Sequence, residues 1–101
     1  MAKIEEILLL KENAGVSNRF CNEYVSVAFA PDNMLDIEFF SKSEHTVKIC
    51  IKNQQDETVY ELEIFTAPTL HILVDTKHWD KGLYSIRLTS ENSSVFYAVI
   101  Y

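Results

Sequence analysis

From residue 23 to the end of the chain, apolar residues recur at every second position, and this repeat limits the possible folds more than any other feature. A period of two is the side-chain repeat of a strand with one wet face, because successive Cβ atoms point to opposite sides of the pleat. Val25, Val27 and Phe29 alternate with Ser26 and Ala28; Pro31-Asp32-Asn33 follows; then Leu35, Ile37 and Phe39 alternate with Asp36 and Glu38. Two such runs joined by a turn of this composition predict a hairpin. Further runs occupy 45–52, 57–65, 69–75, 82–89 and 94–101, with starts 12 or 13 residues apart. The breaks, "KNQQDE", "TAPT", "DTKHWDKG" and "SENSS", are rich in turn formers. These intervals are too short for the crossover helices that parallel neighbours need, so antiparallel pairing follows. Strands that each hide one apolar face satisfy one another best as two packed sheets. The predicted fold is therefore all-β, an antiparallel β-sandwich of seven or eight strands forming a single domain over residues 1–101.

The bulk composition agrees. A chain of 101 residues buries roughly 60 to 70% of its unfolded surface, enough for a core without a metal or a disulfide. Hydrophobic residues at 48% and charged residues at 24% lie well outside the disordered regime. Fifteen acidic residues against nine basic ones give a net charge of −6, and the Lys and Arg are scattered singly. Nucleic-acid binding needs concentrated positive charge, so neither nucleic acid nor an anionic membrane surface is an expected partner. No window approaches the ~20 apolar residues of a membrane span, so no membrane insertion is expected. "IEEILLL" carries two glutamates where an export signal needs an uncharged core. The N-terminus as written therefore does not set the compartment.

Both ends of the chain depart from simple alternation. "AKIEEILLLKENAG" consists largely of helix formers, with Ile4, Ile7 and Leu8 at helical spacing and Gly15 where a C-cap would sit. Read locally it is a helix; the competing reading is an edge strand from Ile4 to Leu10. The closing run is apolar on both faces, with Val95, Tyr97, Val99 and Tyr101 on one and Phe96, Ala98 and Ile100 on the other. Such a strand needs cover on both sides, either from the N-terminal segment or from a neighbouring molecule, which predicts self-association through residues 94–101. Gly82 opens the "GLYSIRLT" run, where it supplies a backbone conformation that a residue with a Cβ resists.

The two cysteines, Cys21 and Cys50, match no zinc spacing and are too few for a disulfide scaffold. Val47, Ile49 and Ile51 share one face, so Cys50 falls in the opposite phase with Lys48 and Lys52, the wrong side for an inter-sheet bond. Both the bonded and the free state of Cys21 and Cys50 remain open from sequence.

The chain carries few chemical signatures. With Gly15 and Gly82 as its two glycines, it has no nucleophile elbow, phosphate loop or dinucleotide fingerprint, and no cofactor is expected. His45 and Cys50 differ by five positions, which puts them on opposite strand faces. Asp36 and Glu38, like Glu61 and Glu63, stand about 7 Å apart along one strand face, a separation that overlaps that of glycosidase carboxylates. That chemistry also needs a cleft, and a wet strand face supplies none. His71 and Asp75 lie about 13 Å apart along an extended strand, too far to share a metal ion. Trp79, between His78 and Asp80, is the candidate binding anchor, because exposed tryptophans serve as hot spots and sugar platforms. The competing reading folds the indole back to plug the end of the sandwich.

Several stretches together carry a family resemblance: "ILLLKE", Arg19, "VSVAFAPDNMLDIEFF", "VKICIKNQQDETVYELEI" and "LHILVD" followed by "KGLYSIRLTSENSSVFYAVIY". Their order resembles the small secreted immunoglobulin-like proteins of unknown function common in Bacteroidetes. The final hairpin is also similar to the C-terminal sorting domains of the Por secretion system, although their Pro-Asn-Pro opening is missing here. The first resemblance implies an immunoglobulin-like sandwich, export to the periplasm or beyond, and an extended rather than helical segment at residues 4–10. Trp79 departs from the Leu that this family carries in the corresponding turn. The expected function is a non-catalytic exported binding or structural accessory module that engages a protein partner at the cell envelope. The alternative is glycan binding through Trp79, His78 and Asp80, and a third reading is a small hydrolase using outward-facing carboxylates.

Overall fold

A computed structural model describes residues 3–10, 16–20, 23–40, 44–66, 69–91 and 93–101. Nine strands occur among these residues: β1 (Lys3–Leu10), β2 (Val16–Phe20), β3 (Glu23–Ala30), β4 (Met34–Phe40), β5 (Thr46–Lys52), β6 (Thr58–Phe65), β7 (Thr69–Asp75), β8 (Leu83–Ser90) and β9 (Ser93–Ile100). They form a five-stranded sheet, ordered β1-β9-β8-β5-β6, and a four-stranded sheet, ordered β2-β3-β4-β7. The inward positions of both sheets join one apolar cluster, running from Val25 and Val27 through Ile37, Ile49 and Ile86 to Tyr97 and Val99. The expected all-β sandwich forms, and each run read from residue 23 onward becomes a strand. Among the described residues no helix is long and apolar enough to cross a membrane.

Three expectations need correction. The strand count is nine rather than seven or eight, because β2 pairs with β3 in a segment whose alternation is too weak to read. Residues 4–10 lie in an edge strand, as the family resemblance implied and against the local helix signal: pairing with β9 outweighs helix propensities worth only tenths of a kcal/mol per residue. That pairing is also parallel, with Ile7 beside Tyr97 and Leu9 beside Val99, so the sheets are not wholly antiparallel. The N-terminal strand thus flanks β9 within its own sheet instead of covering its outer face, where Ile100 stays exposed. Gly15 and Cys21 lie outside the described residues. Cys50 carries a free thiol and faces outward, in the phase expected.

The connections decide what the surface offers. Asp32 and Asn33, both at positive φ, turn β3 into β4 within three residues, a conformation that Asp and Asn tolerate better than most. Asn53 shapes the β5–β6 turn, its side-chain oxygen accepting from the backbone N–H groups of Gln55 and Glu57. Residues 66–68 carry the chain from β6 in one sheet to β7 in the other. A link of three residues is short against the ~10 Å spacing of packed sheets, so the end of β6 and the start of β7 lie near one another across the two layers. Buried Thr66 pins this crossing, its N–H donating to the His45 carbonyl at 3.0 Å. On the far side of the sandwich β2 approaches β9.

Candidate functional site

The loop between β7 and β8 folds its tryptophan inward. The Trp79 ring stacks on Tyr84 with centroids 4.3 Å apart and planes 15° apart, and meets the Tyr101 ring edge-on at 5.4 Å. Phe29 closes the group against Tyr101 at 5.7 Å. Offset and edge-on contacts of this kind add roughly 0.5–1.5 kcal/mol per pair beyond the area they bury. The polar tips of the rings are satisfied as well. The Tyr84 hydroxyl donates to the Asp80 carbonyl at 2.7 Å, and the Tyr101 hydroxyl donates to the Thr76 carbonyl at 2.8 Å. Thr76 is fully buried, and its hydroxyl lies 2.6 Å from the Asn33 carbonyl, tying this loop to the β3–β4 turn. Burial pushes the Tyr84 phenol above its ordinary pKa, with Asp80 and then Tyr101 adding to the rise.

Gly82 completes the arrangement. Its φ of +153° disfavours any L side chain, and a Cβ there would come within 3.0 Å of the Gln54 side-chain oxygen. Its backbone pairs with that of Tyr101 in both directions, which holds the last ring over the end of the sandwich. Of the three residues singled out in this loop, Trp79 is therefore a plug with one ring face covered, while His78 and Asp80 lie exposed beside it. The sequence allowed both roles for Trp79; nothing local marks Tyr84 and Tyr101 as its partners.

On the outer face of the four-stranded sheet, three polar side chains converge. Glu38 and His71 are register partners on β4 and β7, and His71 Nε2 lies 2.6 Å from Glu38 Oε2. His71 Nδ1 lies 3.2 Å from Asp36 Oδ1, so the imidazole bridges the two carboxylates. The hydrogen bond to Asp36 foremost holds His71 above its ordinary pKa; desolvation, the second influence in size, opposes it, and the charges of Glu38 and Asp36 add to the rise. Asp75 does not join this group; its carboxylate accepts from the Lys77 N–H at 2.9 Å and shapes the turn after β7. The Asp36–Glu38 pair read as a wet strand face is thus a clasp across two strands. Its two carboxylates each engage the same ring.

The outer face of the five-stranded sheet holds a groove lined by Lys48, Cys50, Lys52, Glu61, Arg87 and Phe96, among others. Arg87 lies over the Phe96 ring at 5.6 Å, and Lys52 pairs with Asp56 at 3.6 Å. Its cations, Lys48, Lys52 and Arg87, stand on β5 and β8, and its carboxylates, Glu61 and Asp56, lie on β6 and in the turn before it. The β6–β7 side differs. These are the last strands of their sheets, and Tyr60, Leu62, Ile64 and Leu70 are only partly buried between them. Phe65 is 67% exposed on the outer face of the five-stranded sheet, whereas exposed Leu73 lies on the outer face of the four-stranded sheet. Sequence reasoning missed this margin. Strand alternation assigns faces but not which strand ends a sheet.

Comparison with known proteins returns one relationship. Neither the curated proteins nor the solved structures contain a match to this sequence. The family described as "Domain of unknown function (DUF3244)" matches residues 13–100, which include every strand from β2 to β9. The chain belongs to that family.

Proposed function

We propose that this domain is a non-catalytic exported binding or structural accessory module that engages a protein partner at the cell envelope. The carrying observation is the open side of β6, where Tyr60, Leu62 and Ile64 are only partly covered and Phe65 stays exposed while the tryptophan is packed inward. Aromatic and aliphatic groups grouped at one side of a small domain are what protein interfaces use as anchors. Placement in the periplasm or outside the cell rests on the resemblance to secreted immunoglobulin-like proteins of Bacteroidetes. Alternation of the chain between sheets at β4–β5, β6–β7 and β7–β8 is in keeping with that likeness.

Glycan binding through Trp79, His78 and Asp80 is the weaker reading, because the indole face that would stack on a sugar is occupied by Tyr84. Two measurements decide between them. A photo-crosslinking residue in place of Phe65 should yield a discrete protein adduct in the source cells, whereas the same residue in place of Asp32 should not. Dose-dependent binding on a glycan array, lost in Trp79→Ala, would reverse the preference. Self-association through residues 94–101 is a separate reading, favoured by Leu83 and Ile100, which face each other across β8 and β9 and are both about half exposed. Sedimentation velocity that finds only monomer over a wide concentration range removes it.

A further inference from the structure

We infer that β6 is a docking edge that receives an extended segment of a partner protein, basic at alternate positions and apolar between them. This rests on the protein-binding reading above and specifies how and what the domain binds. Among the described residues β6 pairs with β5 alone, and from Tyr60 to Phe65 its register runs without interruption before the irregularity at Ile51/Lys52. One side of an edge strand keeps its backbone N–H and C=O groups free for another chain.

The side chains set the chemistry of the incoming strand. On the inner face Tyr60, Leu62 and Ile64 are only partly covered, although their neighbours Ile51, Ile49 and Val47 on β5 are fully buried. The core layer therefore stops one strand short, and apolar residues of an added strand would complete it. On the outer face Glu61 and Glu63 are exposed, with Glu61 beside Cys50 and Glu63 beside Lys48. Residues directly opposite across a strand pair attract when their charges differ and repel when they match, so Lys or Arg belongs opposite these carboxylates.

The same rule disfavours a second copy of this chain. Any antiparallel β6–β6 register that keeps inner faces together and is centred on Glu61, Leu62 or Glu63 sets a glutamate against a glutamate. The net charge of −6 adds to that repulsion.

The test uses the whole domain and an eight-residue peptide of alternating lysine and valine, with amide hydrogen exchange as the readout. At a peptide concentration ten times Kd, exchange of those Tyr60–Phe65 amides that face the open side should slow about tenfold, the ratio mass action sets. A glutamate-valine peptide should give no protection. Glu61→Lys and Glu63→Lys should each weaken the lysine peptide by roughly two- to fivefold, the worth of an exposed ion pair. A lysine-valine peptide N-methylated at the amides facing β6 keeps its charge and should lose protection on the unaltered protein, so a poorly folding variant does not decide the matter. Unchanged exchange at 60–65, protection centred on β1 or β2, or equal binding of the glutamate peptide would overturn the inference. If the Phe65 crosslink forms while exchange stays unchanged, strand addition fails and the binding-module reading stands; if neither occurs, both fail.

Discussion

The end of the sandwich closed by Trp79 and the margin formed by β6 and β7 are built from similar side chains that meet opposite fates. At the closed end, Trp79, Tyr84, Tyr101 and Phe29 turn their rings toward one another, and both tyrosine hydroxyls reach backbone carbonyls. At the margin, Tyr60, Leu62 and Ile64 stop half covered and Phe65 points into water. Connection length accounts for much of the contrast. The stretch 76–82 is long enough to fold an aromatic ring back over the sheets, whereas only three residues separate β6 from β7. Apolar surface that the chain can cover contributes stability, and surface it cannot cover is left for association.

Mutations should separate the two regions by the size of their effect on stability. Trp79→Ala should cost about 3 kcal/mol in urea unfolding, near the low end for aromatic truncation because the indole is only partly buried. A loss below about 0.5 kcal/mol, within the range of ordinary surface changes, would remove the plug and with it the contrast. Gly82→Ala should follow at about 1–3 kcal/mol, from the positive φ and the contact with Gln54. Wild-type stability for this variant would mean that the loop relaxes freely. Tyr101→Phe keeps the ring and removes one of two partners of the Thr76 carbonyl, which still accepts from the Trp79 N–H, with an expected cost of about 0.5–1.5 kcal/mol.

At the margin, Phe65→Ser and Glu61→Lys should change stability by no more than about 0.5 kcal/mol. Losses as large as those at the closed end would show that the margin is structural.

The smallest effect is expected at the His71 clasp. Its carboxylates raise the imidazole pKa above the ordinary 6.5, so the protonated ring binds more tightly in the folded state. The clasp therefore contributes fully below the unfolded-state pKa, and its contribution fades as pH rises through the folded-state value. A His71 NMR titration should give a midpoint above 6.5, moving down in Asp36→Asn. A midpoint unmoved by that substitution would show that the ring does not lean on Asp36.

Much of this pattern was legible before any coordinates. Val47, Ile49 and Ile51 point inward and Cys50 outward because a pleated backbone leaves alternate residues no other choice. Gly82 also announced itself, since a lone glycine before a regular strand marks a backbone that other residues resist. Residues 4–10 could not be read in the same way. Their helix-forming side chains describe a local preference, while the parallel partner that overrides it lies some ninety residues along the chain. Strand geometry separated His71 from Asp75, but the pairing of His71 with Glu38 depends on the register of β4 against β7.

The amino-acid order by itself determined where the strands from residue 23 onward run and which of their faces are apolar, because both follow from backbone geometry within a few residues. Only the tertiary structure decided that Trp79 finds Tyr84 and Tyr101, that β9 gains a parallel neighbour and that β6 is left without one. Those outcomes depend on how distant segments compete for the same sheet positions, and no local period encodes that competition.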